Sequence, residues 1–214
     1  MGDAGRRGDD SASLGALDTS VDLQTVETIV NMSRALPIVW SGALVLKASA
    51  FSSRMHLVNG NVRLVDTLMR DHTSTEMVQL KITQRLRMER GRLDEISRRV
   101  SGSDDDAYAV LLAMAVPDTS NTATTAMTAD DSLEGGATQN RPLRNLVTYL
   151  RQKEAAGVIA LPPIPSRDKN NVGVLYAFPP SDFGLEFLTK RAPNLENEML
   201  KDDHLLVVVL RGAA

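Results

Sequence analysis

The 214-residue chain contains no cysteine, and only 4% of its residues are aromatic. The absence of cysteine excludes disulfide scaffolds, thiol nucleophiles, iron–sulfur clusters and cysteine-ligated zinc. No apolar run approaches the ~20 residues that a membrane-spanning helix needs. The first residues, MGDAGRRGDD, lack the apolar stretch of a secretory signal. We therefore expect an intracellular protein with no membrane partner.

Catalytic sequence motifs are also missing. The chain has no Walker loop, GxGxxG, GxSxG or HExxH pattern. Its three histidines, His56, His72 and His204, lack metal-ligand spacing, which favours solvated or core-edge positions for them. The sequence thus predicts no catalytic residue, no metal site, no cofactor and no small-molecule substrate.

The remaining composition is that of an ordinary globular protein, with 43% apolar residues, 24% charged residues and a net charge of −3. Residues 1–22 are polar and aperiodic, which predicts a disordered tail. Residues 23–37 fit either a short helix or a linker, and the pattern leaves both open. The folded domain is expected to span residues 38–212 and to contain a disordered, acidic loop at 117–140.

Strands outnumber helices within this domain, which predicts an α+β fold with a sheet or barrel and helices on its outside. The predicted strands are Ile38–Lys47, Arg54–Val58, Val78–Met88, Tyr108–Val116, Val172–Pro179 and His204–Leu210. Apolar positions spaced as in helices lie within residues 62–69, 93–100, 143–150 and 183–188. Pro142 is expected in the first turn of the third helix, Gly157 is expected to stop it, and Ser181 is expected to cap the fourth.

Alternation within the segment Val78–Met88 divides its side chains into two sets. One set is apolar and comprises Leu80, Ile82, Leu86 and Met88, whereas the other is polar and comprises Lys81, Thr83, Arg85 and Arg87. On a strand the two sets occupy opposite faces, so three cations share one face at spacings of about 7 Å. Like charges this close repel each other unless an anion compensates them, because the Debye length is about 8 Å.

Three interpretations of these cations stay open at this point. They bind a nucleic-acid backbone, they bind a discrete anion such as a phosphorylated side chain, or they form the wet face of a strand and protect its edge. Lys47 ends the first strand, and Tyr149 and Lys153 form an i, i+4 pair at the rim of the third helix. A tyrosine hydroxyl and an ammonium group together suit a phosphate or carboxylate, although they also suit the edge of a core.

Several longer motifs resemble the SPOC domain of the split-ends (Spen) family, and in particular its Spenito-like and RNA-binding motif protein 15 branch. They keep the order of the family across about residues 37–212. The motifs are residues 39–47 (VWSGALVLK), 55–57 (MHL), 81–87 (KITQRLR), 93–95 (LDE), 108–113 (YAVLLA), 141–159 (RPLRNLVTYLRQKEAAGVI), 175–183 (LYAFPPSDF) and 203–205 (DHL).

The resemblance implies a distorted β-barrel of about seven strands with flanking helices. It also implies a nuclear, non-enzymatic adaptor. Its expected partners are phosphoserine-containing peptides of corepressors, of histone methyltransferase complexes or of the RNA polymerase II tail. The basic patch of the family maps onto Lys47, Lys81, Arg85, Arg87, Tyr149 and Lys153.

Two alternatives accompany this expectation. The first is direct binding of RNA, or of another nucleic-acid backbone, by the same patch. The chain lacks the aromatic-rich strand of an RNA-recognition motif, so RNA binding is otherwise expected only through a longer parent protein. The second alternative is that the acidic loop 117–140 folds over the patch and masks it.

Overall fold

The computed structural model describes residues 22–70, 78–102, 104, 106–116, 139–162, 172–195 and 202–212. The expected tail up to residue 21, the loop 117–140 up to residue 138, and His72 lie outside these ranges. The described residues form nine strands and five α-helices. The strands are β1 (Ile38–Leu46), β2 (Ser49–Gly60), β3 (Gln79–Lys81), β4 (Gln84–Arg87), β5 (Tyr108–Ala115), β6 (Gln139–Asn140), β7 (Ala155–Leu161), β8 (Gly173–Phe178) and β9 (His204–Arg211). The helices are α1 (Ile29–Ala35), α2 (Val62–Met69), α3 (Arg90–Gly102), α4 (Leu143–Gln152) and α5 (Asp182–Thr189).

All nine strands belong to one mixed, curled sheet. Its order is β3-β1-β2-β5-β9-β8-β7-β4, and the short β6 pairs with β2. The β1–β3 and β2–β6 pairs are parallel, whereas the other pairs are antiparallel. The fold is α+β, as predicted. The path holds eight strands where the residue pattern predicted six, because the segment predicted as one strand at 78–88 forms two and β7 was not predicted.

The segment at 78–88 connects the two ends of this strand order. Its strand β3 pairs with β1, and its strand β4 pairs with β7. Between them, the Ile82 amide donates to the Val45 carbonyl at 2.8 Å, and the Thr83 amide donates to the Val158 carbonyl at 3.1 Å. One stretch of chain is therefore hydrogen-bonded to the first strand on one side and to β7 on the other, which curls the sheet round towards closure.

Helices cover both faces of the sheet, and each face has its own core. On one face, side chains from both ends of the strand order meet in a single core, and we therefore call this face concave and the opposite face convex. The concave face packs against the apolar sides of α2 and α4, with Leu44, Met55 and Leu111 among its fully buried strand residues. The convex face packs against α1, α3 and α5. Ser181 caps α5 as predicted, since its hydroxyl accepts a hydrogen bond from the Gly184 amide at 3.3 Å. None of the described helices is long and apolar enough to cross a bilayer.

The turn from α4 into β7 differs from the prediction that Gly157 stops the helix. The helix ends at Gln152, Lys153 is its C-cap, and Glu154 adopts a left-handed conformation with φ 46°. A left-handed residue directly after the C-cap is a common way to end a helix, although glycine usually fills the position. Gly157 instead lies within β7, where an added Cβ would contact the side chain of Ile82 at 3.1 Å.

Residues 23–37, left open between helix and linker, contain a short 3₁₀ turn followed by α1. The Thr28 side chain caps α1 by accepting from the Asn31 amide at 3.2 Å, and Ile29 and Met32 are fully buried in the convex core. A hydrogen bond of 3.2 Å between His56 Nδ1 and the Leu36 carbonyl ties the end of α1 to β2. The loop expected at 117–140 ends in a strand, because its last two residues form β6.

His204 lies in the core at the start of β9, with 1% of its surface exposed, and not in a solvated position. The pKa of His204 is lowered from 6.5 to about 4, chiefly because the ring is buried and to a smaller extent because of the positive charge of Arg151. A hydrogen bond between Nδ1 and the Asp202 carbonyl, 3.2 Å long, opposes this shift because it favours the charged ring. The folded protein thus keeps His204 neutral at physiological pH.

Gly42 controls the approach of β3 to β1, and its replacement tests that packing. A Cβ at Gly42 would fall well inside van der Waals contact of the Val78 carbonyl oxygen, which accepts from the Ala43 amide at 3.0 Å. We expect Gly42→Ala to lower the free energy of unfolding by about 1–3 kcal/mol, measured by urea denaturation. The control is Gly91→Ala on α3, where a Cβ meets nothing within 4 Å and should be neutral or stabilising by up to about 1 kcal/mol. Equal effects of both substitutions would contradict the close packing at Gly42.

The lowered pKa of His204 predicts a pH-dependent stability. Between pH 6.5 and about 4 the unfolded chain binds a proton at this position and the folded protein does not, so stability falls as the pH falls through this window. The full loss is about 3 kcal/mol. We expect His204→Asn, whose side-chain amide can still donate to Asp202, to remove that part of the dependence in denaturation curves at pH 4.5 and 7. An unchanged pH dependence would show that His204 is not its source.

Candidate functional site

A cationic depression lies on the described surface where β4, β7 and the end of α4 meet. It is an open cleft of about 520 Å³. Its lining residues are Thr83, Gln84, Arg85, Arg87, Lys153 and Ala155. Three of these side chains are cationic and none is acidic, so the cleft presents unbalanced positive charge to solvent.

Arg85 is held in place by Tyr149 of α4. Its Nη1 donates to the Tyr149 hydroxyl oxygen at 2.9 Å, and its guanidinium carbon lies 5.7 Å from the centre of the tyrosine ring. That distance is within the range of a cation–π contact. Tyr149 is itself half-buried against the concave core. The hydroxyl accepts from Arg85 and keeps its own proton free to donate to an anion.

Arg87 is highly exposed, with 85% of its side chain accessible. Its nearest acidic partner is Glu89, whose Oε1 lies 4.0 Å from Arg87 Nη1 and whose side chain is 66% exposed. Exposed pairs at this separation contribute little free energy because water screens them. An incoming dianion therefore competes with a weak partner for Arg87.

Lys153 reaches the cleft from the C-terminal end of α4. The Glu154 carbonyl, one residue further, accepts from the Met88 amide at 3.0 Å, which fastens the end of β4 to the end of the helix. In addition, Arg87 pairs in register with Ala155 of β7. These backbone bonds fix the strand that carries the arginines relative to the helix that carries Tyr149 and Lys153.

Lys81 and Lys47 lie apart from this cleft, which differs from the expectation that Lys81 shares one face with Arg85 and Arg87. Lys81 pairs in register with Val45, on the face opposite the concave core that contains Leu80. Arg85 and Arg87 pair with residues 157 and 155, on the concave side. Lys47 is exposed in the two-residue turn between β1 and β2 and adopts φ 54°. Both lysines thus border the seam of the sheet, by which we mean the line along which residues 78–88 join β1 to β7. Neither lysine lines the cleft.

The alternation argument failed at one point, because the chain changes both its partner strand and its face between Ile82 and Leu86. Leu80 and Ile82 belong to the concave core, whereas Leu86 and Met88 pack against the convex core. Thr83 and Gln84 are consecutive, both are exposed, and both line the cleft. Sequence reasoning did not single out Gln84. The signal that could have identified Gln84 was its polar side chain at a position that alternation assigns to the apolar set.

The donor set of the cleft suits the binding of an anion. Arginine side chains and a tyrosine hydroxyl offer several donors from one rim, and Lys153 adds a mobile charge. Within the described ranges, no group of three or more acidic or histidine side chains is placed to hold a metal ion.

Comparisons with known proteins identify relatives over most of the chain. The family model of the SPOC domain matches residues 31–212. The RNA-binding protein spenito of Drosophila melanogaster is 42% identical over 190 residues, which cover 89% of this chain and 22% of spenito. The human RNA-binding protein 15 is 41% identical over 185 residues, which cover 86% of this chain and 18% of that protein. The chain thus spans about a fifth of the length of these relatives.

Two further relatives extend the comparison. Protein split ends of Drosophila melanogaster is 29% identical over 184 residues, covering 86% of this chain and 3% of that protein. The solved SPOC domain of human PHD-finger protein 3 is 14% identical, with a TM-score of 0.40 over 81% of this chain and 95% of that one. SPOC domains are protein-interaction modules and not an enzyme family. The chain belongs to the SPOC domain family and has its homologues among the Spen proteins.

Proposed function

We propose that this SPOC domain is a nuclear adaptor module that binds serine-phosphorylated acidic peptides at the cleft of Arg85, Arg87 and Lys153. The peptides belong to regulators of transcription, chromatin or RNA processing. One observation carries the proposal: an arginine fixed by Tyr149 converges with two further cations on an open cleft whose described lining includes no carboxylate.

A phosphoserine matches the chemistry of this cleft. It brings nearly two negative charges and three acceptor oxygens, whereas an aspartate brings one charge and two oxygens. Charge-assisted hydrogen bonds from Arg85 and Arg87 contribute roughly 1.5–3 kcal/mol each. The Tyr149 hydroxyl can donate a further bond, and Lys153 can neutralise a second acidic group of the peptide.

Lys47 and Lys81 have a different role in this proposal. Because they border the seam and do not line the cleft, they attract an acidic peptide over a distance without gripping its phosphate. Such steering raises the association rate and is sensitive to salt. Their removal should therefore slow association more than it speeds dissociation.

Binding of a nucleic-acid backbone is the alternative for the same cations. Single-stranded nucleic acid usually also stacks its bases on aromatic side chains. None of the described residues that line the cleft is aromatic, and the Tyr149 ring is covered by the Arg85 guanidinium. We therefore favour the phosphopeptide and keep RNA as an outcome of the test.

The test is a fluorescence-anisotropy titration with an acidic serine peptide, phosphorylated and unphosphorylated, and with single-stranded RNA. We expect the phosphate to tighten binding at least about tenfold, since two charge-assisted bonds depend on it. RNA should bind more weakly at both of two salt concentrations. Equal binding of the two peptides, or tighter binding of RNA with a steep salt dependence, would contradict the proposal.

Replacement of Arg87 tests the cleft itself. We expect Arg87→Glu to abolish the preference for the phosphorylated peptide and to leave the melting temperature unchanged, because the side chain is 85% exposed. The matched control is Arg98→Glu on α3, which alters the net charge identically at an exposed position outside the cleft. Equal loss of binding in both variants would assign the effect to net charge alone, and unfolding of Arg87→Glu would show that the arginine is structural.

A further inference from the structure

A second depression, unrelated to the cationic cleft, lies between α1 and the strands β1, β2 and β5. Its volume is about 360 Å³, and most of its lining side chains are apolar. Leu36, Met114 and Ala115 contribute to it, together with the outward-facing Val30 and Ile38. We call this depression the α1 groove.

The α1 groove brings together two of the exposed large hydrophobic residues of the described ranges. Three large hydrophobic residues are exposed among the described residues: Ile38 at 51%, Val62 at 46% and Val30 at 43%. Two of the three, Val30 and Ile38, line the α1 groove. Single exposed hydrophobic residues are ordinary, whereas a cluster of them in a concave surface marks an interaction site.

Hydrogen bonds at the end of α1 hold the walls of this groove in place. The Leu57 amide donates to the Pro37 carbonyl at 3.0 Å, and His56 Nδ1 lies 3.2 Å from the Leu36 carbonyl. Both bonds tie the connection between α1 and β1 to the middle of β2. A ligand therefore meets a preformed surface and does not have to order it, which lowers the free-energy cost of binding.

Charge around the groove indicates what kind of ligand it fits. Arg34 and Arg54 line it, and none of its described lining residues is acidic. Neither arginine forms an ion pair with another residue of the described ranges. The complementary ligand is a peptide that places a large apolar side chain between Val30 and Ile38 and a carboxylate beside each arginine.

The groove and the cationic cleft are separate sites. None of the described residues lines both depressions, because the groove is built from α1, β1, β2 and β5 and the cleft from β4, β7 and the end of α4.

We propose that the α1 groove is a second docking site, which takes an unphosphorylated peptide segment with an apolar anchor flanked by acidic residues. Its affinity comes from burial of the anchor on Val30 and Ile38, and its selectivity comes from Arg34 and Arg54. The proposal does not depend on the phosphopeptide site.

The test uses three short synthetic peptides and backbone amide chemical shifts of the ¹⁵N-labelled chain. The first peptide carries two leucines flanked by aspartates, the second replaces its leucines by serine, and the third replaces its aspartates by lysine. We expect only the first, at about 1 mM or below, to shift the amides around residues 30–38, 54–56 and 114–115. Shifts by the lysine peptide of equal size, or none by the first peptide, would overturn the proposal.

A matched pair of variants makes the test specific. Ile38→Asp places a charge in the groove and should weaken the first peptide at least about tenfold. Val62→Asp makes the same change at a similarly exposed position on α2, outside the groove, and should leave binding unchanged. Equal affinity of the two variants would overturn the proposal. So would sedimentation of the wild type as a dimer that Ile38→Asp dissociates, because the occupant would then be a second copy of the chain.

Discussion

Closure of the sheet by residues 78–88 is the constraint on which the rest of the structure depends. The segment forms backbone hydrogen bonds with β1 through Ile82 and with β7 through Thr83, and it therefore changes its partner strand within two residues. With this change of partner strand, the apolar side chains of the segment also switch from one face of the sheet to the other. Leu80 and Ile82 fill the concave core, whereas Leu86 and Met88 pack on the convex one. The polar residues of the same stretch are left at the seam, where water or a ligand can reach them.

The change of partner strand explains why the residues of the cationic cleft are both fixed in place and exposed to solvent. Arg85 and Arg87 lie on a strand that is paired with β7 and fastened to α4 through the bond between Met88 and Glu154. Tyr149 then orders the guanidinium of Arg85 before any ligand arrives. Pre-ordering of this kind lowers the entropic cost of binding a small anion. The left-handed conformation of Glu154 contributes to the same rigid arrangement, because it allows α4 to end and β7 to begin within one turn.

The sequence predicted the elements with strong local signals and missed those that depend on distant partners. The β-branched strands and Ser181 as a cap followed from the residues themselves. The strand β7 was missed because its first residues, Ala155, Ala156 and Gly157, carry little β-propensity and the glycine resembled a helix stop. The six candidate patch residues were predicted from alternation, helix spacing and family resemblance. The sequence did not predict that these residues divide into a cleft and two outlying lysines, because an alternating pattern does not reveal a change of partner strand. The α1 groove left no periodic signal, since its residues come from four separate elements.

The central claim is that a phosphate occupies the cleft of Arg85, Arg87 and Lys153, and the side-chain Nε resonances of the arginines test it most directly. The measurement is a titration of the ¹⁵N-labelled chain with a phosphoserine peptide, with assignments from Arg85→Lys and Arg87→Lys. The account predicts saturable shifts of the Arg85 and Arg87 signals, with the Arg98 signal unmoved. Shifts spread over the arginines of α3, or saturable binding that leaves Arg85 and Arg87 unchanged, would contradict it.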